Sequence, residues 1–256
     1  MGNEWRGRLR ARLPKRPSFY LSLPDRARYA CRLARQSRRV LRSELNYALG
    51  REMEKLDLKT QFRDLFNPPK HDFHDIVVPT MSFVKVDGAG DPNTAALYRQ
   101  AVEWLYGVSY AMKFAAKNGL ERDYVVPPLE ALWWSDDPGA FTRREKDRWQ
   151  WTVMIMAPIF VTTTMFEDAV AKTLAKRNDQ PSSLRFESYS EGRSLQILHV
   201  GSYDDEGPTL RRLHDEVMPQ LGLTFDGPHH EVYLSDPRKT APAKLKTILR
   251  QPVRPA

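Results

Sequence analysis

Along residues 53–256, hydrophobic and polar positions alternate every second residue in some segments and repeat about every 3.6 residues in others. Three segments have the apolar, β-branched and aromatic content of strands: "MSFVKVDGAG" (81–90), "DYVVPPLEALWW" (123–134) and "RWQWTVMIMAP" (148–158). The segment 91–119 instead repeats apolar residues at helical spacing, with a cap at Asp91 or Asn93 and a stop at Gly119. The pattern predicts the order strand, helix, strand, strand.

The same order recurs later, after a second predicted helix in "TTTMFEDAVAKTLAKRN" (162–178). A strand, a helix stopped by Gly222 and another strand are predicted in "GRSLQILHVGSYDDEGP", "TLRRLHDEVMPQLG" and "PHHEVYLSD". We therefore expect an α+β fold of two tandem βαββ modules that form one antiparallel sheet with helices on one face. The segment 67–79 is expected to be an extended linker, and the tail 237–256 to pack along the body.

Charge is distributed unevenly along the chain. Residues 1–52 hold 14 of the 40 Lys and Arg residues and 4 of the 32 Asp and Glu residues, a net charge of +10. Residues 53–256 hold the other 26 and 28, a net charge of −2. The basic excess therefore belongs to an arginine-rich extension (residues 1–52), and it says nothing about the partners of the body (residues 53–256), which we expect to be one domain.

The arginine-rich extension, expected to be disordered or partly helical, has three interpretations. Clustered arginine is typical of segments that bind nucleic acid or another anionic surface. An arginine-rich, acid-poor amphipathic segment is also typical of targeting sequences. In the third interpretation Met53 is the natural start and the extension is not part of the functional protein. The third is favoured because no nucleic-acid recognition motif accompanies the charge.

Several classes of protein are excluded by composition. The single cysteine, Cys31, excludes an internal disulfide and any cysteine-based zinc cluster. No apolar run approaches the roughly 18 residues of a membrane span, and the basic start lacks the apolar core of a secretory signal. His229 and His230 point to opposite faces of a strand, and no histidine of a predicted helix has a carboxylate four residues away. We expect a cytoplasmic protein without a metal or another cofactor.

The segment "HHEVY" (229–233) carries the candidate chemistry. On a strand, Glu231 and Tyr233 share one face, and His230 and Val232 share the other. The second pair is more apolar, so we expect it to face the helices and Glu231 and Tyr233 to lie on the open face. The plain alternative is that this carboxylate and this phenol are merely solvated.

Aromatic residues are concentrated in the neighbouring predicted elements. Trp133 and Trp134 must point to opposite faces of their strand, whereas Trp149 and Trp151 share a face. Tyr106, Tyr110 and Phe114 follow one another at intervals of four along the predicted helix. Such residues either build the core or, with carboxylates close by, form a pocket for a flat apolar ligand.

Several motifs resemble the GyrI-like small-molecule-binding family, and more closely its stand-alone branch. They are "KLDLK…NPPK", "DGAGDPN", "VVPPLEALWW", "WQWTVMIM", "RFESYSEG", "QILHVGSYDDE" and "HHEVYLSDPRKTAPAKLKTILRQPV". The match runs from about Met53 to Val253, and residues 1–52 have no counterpart. The resemblance implies that the two modules are related by a pseudo-twofold axis, with a ligand pocket between them.

The resemblance also implies a function, because the branch includes cyclopropanoid cyclopropyl hydrolases, which act on DNA alkylators of the yatakemycin type. Opening the strained ring with water requires a base for the water and a donor to the oxygen where negative charge develops. We expect Glu231 to be the base, with Glu187 as a second candidate, and Tyr233 or His199 to be the donor. The residues expected to hold the flat drug are Trp133, Trp134, Trp149, Trp151, Tyr106 and Tyr110.

The same residues suit a second hypothesis, in which the protein binds without turnover. A module that sequesters or senses a flat compound, neutral or cationic, would use Glu231 as a counter-charge and the aromatic rings as cation–π partners. In transcription regulators of this family the domain is joined to a DNA-binding domain, but no helix-turn-helix pattern precedes residue 53. A small hydrophobic ligand is the expected partner under both hypotheses, and the oligomeric state is left open.

Overall fold

The computed structural model describes residues 55–137, 140, 143 and 145–256. The arginine-rich extension and the predictions made for it lie outside these residues. The described strands are β1 (His74–Val78), β2 (Met81–Ala89), β3 (Leu129–Trp134), β4 (Gln150–Ala157), β5 (Arg185–Tyr189), β6 (Gly192–Val200), β7 (Leu223–Phe225), β8 (His229–Tyr233) and β9 (Lys246–Pro255).

The described α-helices are α1 (Leu58–Gln61), α2 (Arg63–Phe66), α3 (Ala96–Gly119), α4 (Thr163–Leu174) and α5. Helix α5 is α-helical over Gly207–Arg211, forms a π-helical turn over Arg212–Val217 and ends with Met218–Gln220. Helix α4 begins at Thr163 because the side chain of Thr162 accepts a hydrogen bond from the backbone N–H of Met165. Helices α3, α4 and α5 are long enough to cover the sheet.

The sheet has the strand order β1-β6-β9-β8-β3-β4-β2-β5, and β7 adds to the end of β9. All of these pairs are antiparallel. The first module is β2-α3-β3-β4 and the second is β6-α5-β8-β9, and they meet where β3 pairs with β8. The outer strands are exchanged: β1 pairs with β6 of the second module, and β5 pairs with β2 of the first. The predicted α+β fold is confirmed.

The long helices pack on one face of the sheet. Helix α3 buries Trp104, Leu105 and Val108 against Trp151 and Val153. Helix α5 buries Leu213 and Met218 against Leu195 and Val253 in a separate cluster. The central pair of strands, β3 and β8, therefore lies between the two helices.

The opposite face of the sheet is covered by α1 and α2. Their buried residues Leu58, Leu65 and Phe66 pack with side chains of the central strands. Those strand residues include Leu132, Met154, Val232 and Ile248. Both faces of the sheet are thus buried, which a simple apolar-in, polar-out pattern does not anticipate.

Two segments differ from their predictions. The predicted linker 67–79 contains edge strand β1, and the predicted packing tail contains β9, which is hydrogen-bonded to both β6 and β8 in the middle of the second module. Their pairing partners lie far away in sequence, so local pattern alone does not reveal them. In β9, Arg250, Gln251 and Pro252 also interrupt the apolar alternation, although Arg250 and Gln251 are buried.

Gly88 fixes the position of the Trp151 indole ring. It pairs directly with Trp151, and a Cβ atom at residue 88 would lie 2.2 Å from that ring. We expect Gly88→Ala to displace Trp151 and to lower the free energy of unfolding by about 1–3 kcal/mol. Urea unfolding measures this, with Gly119→Ala as the control because a Cβ there meets nothing within 4 Å. Equal unfolding midpoints for the two variants would contradict the prediction.

Candidate catalytic and ligand-binding cleft

Strand β8 turns Glu231 and Tyr233 toward α3 and α5. Glu231 pairs with Ala131 on β3, which belongs to the core beneath α3, and Tyr233 packs against that same core. Val232 instead packs with the cluster under α1 and α2. The predicted faces are therefore reversed: the carboxylate and the phenol are on the side of the long helices. Their strand lies between those two helices.

The reversal has a physical cause on the opposite face. His230 is fully buried there because it lies between two carboxylates, 3.0 Å from Glu130 and 3.0 Å from Glu191. A polar residue buried by distant charges cannot be recognised from the apolar content of its own strand. Glu130 and Glu231 consequently lie on opposite faces of the sheet, since Glu130 pairs with Val232.

A chain of hydrogen bonds holds the Glu231 carboxylate. The Tyr233 hydroxyl donates to Glu231 Oε2 at 2.7 Å, and Trp133 Nε1 donates to the Tyr233 hydroxyl at 3.2 Å. The Glu231 side chain is only 14% exposed. This arrangement fixes the direction of the carboxylate and leaves Oε1 available to a water molecule or a ligand.

Aromatic rings surround this carboxylate. Tyr98, from the first turn of α3, is stacked on Trp133 at 6.1 Å between centroids and meets Trp151 edge-on at 5.1 Å. Trp149 meets Trp133 edge-on at 5.7 Å, and Tyr203 meets Tyr233 edge-on at 5.7 Å. We call this region the central cleft; its residues are Tyr98, Trp133, Trp149, Trp151, Tyr203, Glu206, Glu231 and Tyr233.

Glu206 supplies a second carboxyl group to the central cleft. It is 5% exposed, and burial together with the charge of Glu231 raises its pKa to about 10, against an opposing hydrogen bond from Thr247. Its Oε1 has no hydrogen-bond partner among the described residues. At neutral pH this group is a neutral carboxylic acid that can donate a proton. Two nearby carboxyl groups in different protonation states are the usual arrangement of an acid and a base.

The phenols of the central cleft are also held in their protonated form. Burial and the charge of Glu231 raise the pKa of Tyr203 to about 12, and they raise the pKa of Tyr98 and of Tyr233 well above the ordinary value. These hydroxyls therefore act as hydrogen-bond donors. Trp151 Nε1 is a further buried donor without a partner among the described residues. The cleft is thus rich in donors around one carboxylate.

Of the predicted ligand-binding residues, Trp133, Trp149 and Trp151 lie in the central cleft. Trp134 lies on the opposite face, where its Nε1 donates to Gln150 at 3.1 Å. Tyr106 and Tyr110 are stacked at 6.4 Å on α3, and Tyr110 is 47% exposed. The helix thus carries Tyr110 outward, away from Glu231.

The other predicted catalytic residues lie apart from Glu231. Glu187 is on edge strand β5, four strand spacings or about 19 Å from β8, where Lys85 binds it at 2.8 Å and lowers its pKa. His199 is on β6, two spacings or about 10 Å from β8, and its Nε2 lies 3.1 Å from the carbonyl oxygen of Ser202. The structure brings together Glu231 and Tyr233 but neither of these two.

Sequence reasoning missed Tyr98, Tyr203 and Glu206. Tyr98 follows the turn between the first strand and the helix of the first module, and Tyr203 and Glu206 lie in the matching turn of the second. The repeated order of elements was the available signal, because a pseudo-twofold axis between the modules brings both turns toward the centre. The acidic "YDDE" stretch instead has the appearance of a solvated turn.

Two features are absent from the described part of the chain. No group of three or more His, Cys, Asp or Glu side chains is arranged to hold a metal ion. No helix in the same part of the chain has the length and apolar character to cross a membrane.

Comparisons with known proteins agree with this geometry. The model of the GyrI-like small molecule binding domain matches residues 76–254. Two crystal structures from Listeria innocua, one of an uncharacterized conserved protein and one of a hydrolase, are 38% identical to this chain, with TM-scores of 0.71 and 0.70. Each match covers 78% of this chain and 100% of the other. No protein with a curated description matches the chain.

Proposed function

Because this chain belongs to the GyrI-like small-molecule-binding domain family, we propose that it binds flat hydrophobic xenobiotics in the central cleft and hydrolyses them without a cofactor. The substrate class we propose is the cyclopropane-bearing DNA alkylators of the yatakemycin type, whose ring opening would detoxify them. The similar Listeria innocua protein described as a hydrolase supports a hydrolytic activity.

One feature carries the proposal: the buried Glu206 lies near enough to Glu231 for the charge of Glu231 to raise its pKa, in a region lined by aromatic side chains. Burial keeps Glu206 neutral partly because Glu231 is charged, so the two carboxyl groups take different roles. A binding pocket for apolar compounds needs the aromatic rings alone. A neutral buried acid beside a carboxylate is what acid–base catalysis requires in addition.

In the proposed reaction, Glu231 accepts a proton from a water molecule whose oxygen attacks the methylene carbon of the cyclopropane. The carbon–carbon bond to the ring system breaks, and its electron pair moves through the dienone to the carbonyl oxygen. Glu206 gives its proton to that oxygen, so the product is a phenol that carries a hydroxymethyl group. Tyr233 holds Glu231 in place through the 2.7 Å hydrogen bond, and positioned acid–base groups contribute about 10²–10⁴-fold to such steps.

A second candidate function is binding without turnover. Its support is that no lysine or arginine among the described residues forms an ion pair with Glu231. A buried carboxylate without a cationic neighbour, surrounded by aromatic rings, attracts a flat organic cation. The two functions differ in stoichiometry, since an enzyme forms product in excess of protein and a binder protects one ligand per site.

We expect Glu206→Gln to lower the hydrolytic activity and to raise the stability of the fold. The amide cannot give up a proton, so the rate should fall by about 10²–10⁴-fold, and the alkaline loss of activity near pH 10 should disappear. The raised pKa means that burying this acid costs stability progressively as the pH rises from 4.5 toward 10. The variant should therefore unfold at a higher temperature than the wild type, by an amount that grows with pH.

Enzyme assays and thermal unfolding at several pH values between 4.5 and 10 test this expectation. Each kcal/mol of stabilisation is worth about 2–4 °C in a domain of this size. Glu216→Gln, at an exposed position of α5, is the matched control. Full activity in the Glu206→Gln variant would show that Glu206 is not the catalytic acid.

A further inference from the structure

Two histidines extend from the central cleft toward α5. His229 precedes Glu231 by two residues on β8, and its Nε2 lies 3.6 Å from Glu231 Oε1. The His229 side chain is 13% exposed, and both of its ring nitrogens are buried without a hydrogen-bond partner among the described residues. A buried imidazole usually has at least one such bond, so this one requires an explanation.

His214 continues the same path. It lies in the π-helical turn of α5, and its Nε2 is also buried without a partner in the described part of the chain. Single π-helical turns inside α-helices occur frequently at functional sites. The residue as a whole is partly exposed, and its ring packs edge-on against Phe225, which is 49% exposed. His214 therefore connects the interior to the surface.

The electrostatics of the pair suit transient protonation. Burial, and next the proximity of His229, lower the pKa of His214 to about 4, whereas Asp215 acts in the opposite direction. At neutral pH His214 is therefore a neutral imidazole, which accepts a proton at one nitrogen and releases it at the other. The titratable groups around this path include Tyr98, Tyr203, Glu206 and Tyr233 beside Glu231, and Asp215 beside His214.

The proposed reaction leaves a proton that has to be removed. Each cycle adds one proton to Glu231 and takes one from Glu206, and both must be restored before the next cycle. A flat ligand or product that fills the central cleft closes the direct route, because Glu231 is only 14% exposed even without it. A second route for the proton, on the side away from the ligand, restores the Glu231 carboxylate independently of product release.

We propose that His229 and His214 form a proton relay that carries the proton of Glu231 to solvent at the surface of α5. Glu231 gives its proton to His229, His229 passes it through a bridging water molecule to His214, and His214 releases it to bulk water, while Glu206 regains a proton from solvent. The relay rests on the proposed hydrolysis. It assigns a role to three buried nitrogens that the chemical step does not use: Nδ1 and Nε2 of His229 and Nε2 of His214.

The test uses His229→Gln, His214→Gln and the double variant in the full chain, with a cyclopropane-bearing alkylator as the probe. A serial relay is interrupted equally by either substitution. We therefore expect each single variant to lose at least about 10-fold in multiple-turnover rate, and the double variant to lose no more than a single one. The single-turnover rate should stay within about twofold of wild type, because the chemical step does not need the relay.

His199→Gln is the control, since His199 contacts the Ser202 carbonyl and lies off the path. An unchanged multiple-turnover rate for His214→Gln would overturn the relay. Equal losses in the single-turnover and multiple-turnover rates of His229→Gln would also overturn it, because they would indicate that His229 only positions Glu231. A wild-type protein without turnover would overturn the hydrolase proposal itself, before any histidine variant is compared.

Discussion

Glu231→Gln is expected to lose about 10²–10⁴-fold in hydrolytic rate and to keep its affinity for the ligand. The amide has nearly the same shape and still accepts the hydrogen bond from Tyr233, but it cannot take a proton from water. Binding can be measured by quenching of tryptophan fluorescence, because Trp133, Trp149 and Trp151 lie in the central cleft. Product formation is followed by chromatography.

Glu187→Gln is the matched control for that experiment. The substitution is the same, but Glu187 lies on the outer strand β5 and pairs with Lys85 at 2.8 Å, so the rate should not change. A reduced rate for Glu187→Gln together with a normal rate for Glu231→Gln would exchange the two assignments. Loss of binding in Glu231→Gln would instead indicate that the charge of the carboxylate holds the ligand.

The second large effect is expected on the opposite face, in a network of buried charges. His230 Nδ1 lies 3.0 Å from Glu191, and Arg250 Nη1 donates to Glu191 at 3.1 Å. Arg250 also donates to Gln196 at 3.0 Å and to the Leu65 carbonyl at 2.9 Å. The network thus joins β6, β8 and β9 to α2, directly behind the strand that carries the candidate base.

We expect Glu191→Gln to reduce the free energy of unfolding by about 3–5 kcal/mol, because it leaves the buried Arg250 guanidinium without its counter-charge and His230 with Glu130 alone. Asp75→Asn is the control: it breaks an ion pair with Arg193 whose side chains are 45% and 41% exposed, and such pairs contribute about 0–1 kcal/mol. Urea unfolding measures both. A loss no greater than that of the control would show that the network does not stabilise the fold.

The same network gives the stability a defined pH dependence. Despite its burial, the charges of His230 and Arg250 lower the pKa of Glu191 to about 2, so its contribution is present above 4.5 and is lost as the pH falls toward 2. Against the effect of burial, Glu191 and Glu130 raise the pKa of His230, so its contribution is present below 6.5 and is lost as the pH rises through the raised value. The network should therefore contribute most to the free energy of unfolding between about pH 4.5 and 6.5. In Glu191→Gln, the free energy of unfolding should change less with pH both below and above this range.

Local pattern was sufficient for the first module and for the first three elements of the second. The periods of two and of about 3.6 residues, with Gly119 and Gly222 as stops, predicted the repeated order of strands and helices. The same pattern missed β9, whose partners β6 and β8 are long-range and whose buried Arg250 is satisfied by Glu191 and Gln196. A charged residue in a strand looks exposed until the residues that neutralise it are known.

The candidate site was predictable in part for the same reason. Alternation correctly grouped Glu231 with Tyr233, but it placed them on the wrong side of the sheet, because the burial of His230 depends on Glu130 and Glu191. Glu206 was missed because its neutral state depends on burial and on Glu231, which is 25 residues later in the chain. Pairwise electrostatics of this kind exist only in the folded chain.

The most direct test of the proposed function is hydrolysis of a cyclopropane-bearing alkylator in ¹⁸O-labelled water by a substoichiometric amount of protein. We expect product in molar excess over protein, with one labelled oxygen in each ring-opened phenol, because the attacking atom comes from water that Glu231 deprotonates. Tight binding without product, or no more than one equivalent of product for each protein molecule, would contradict the hydrolase and leave a protein that binds and sequesters its ligand.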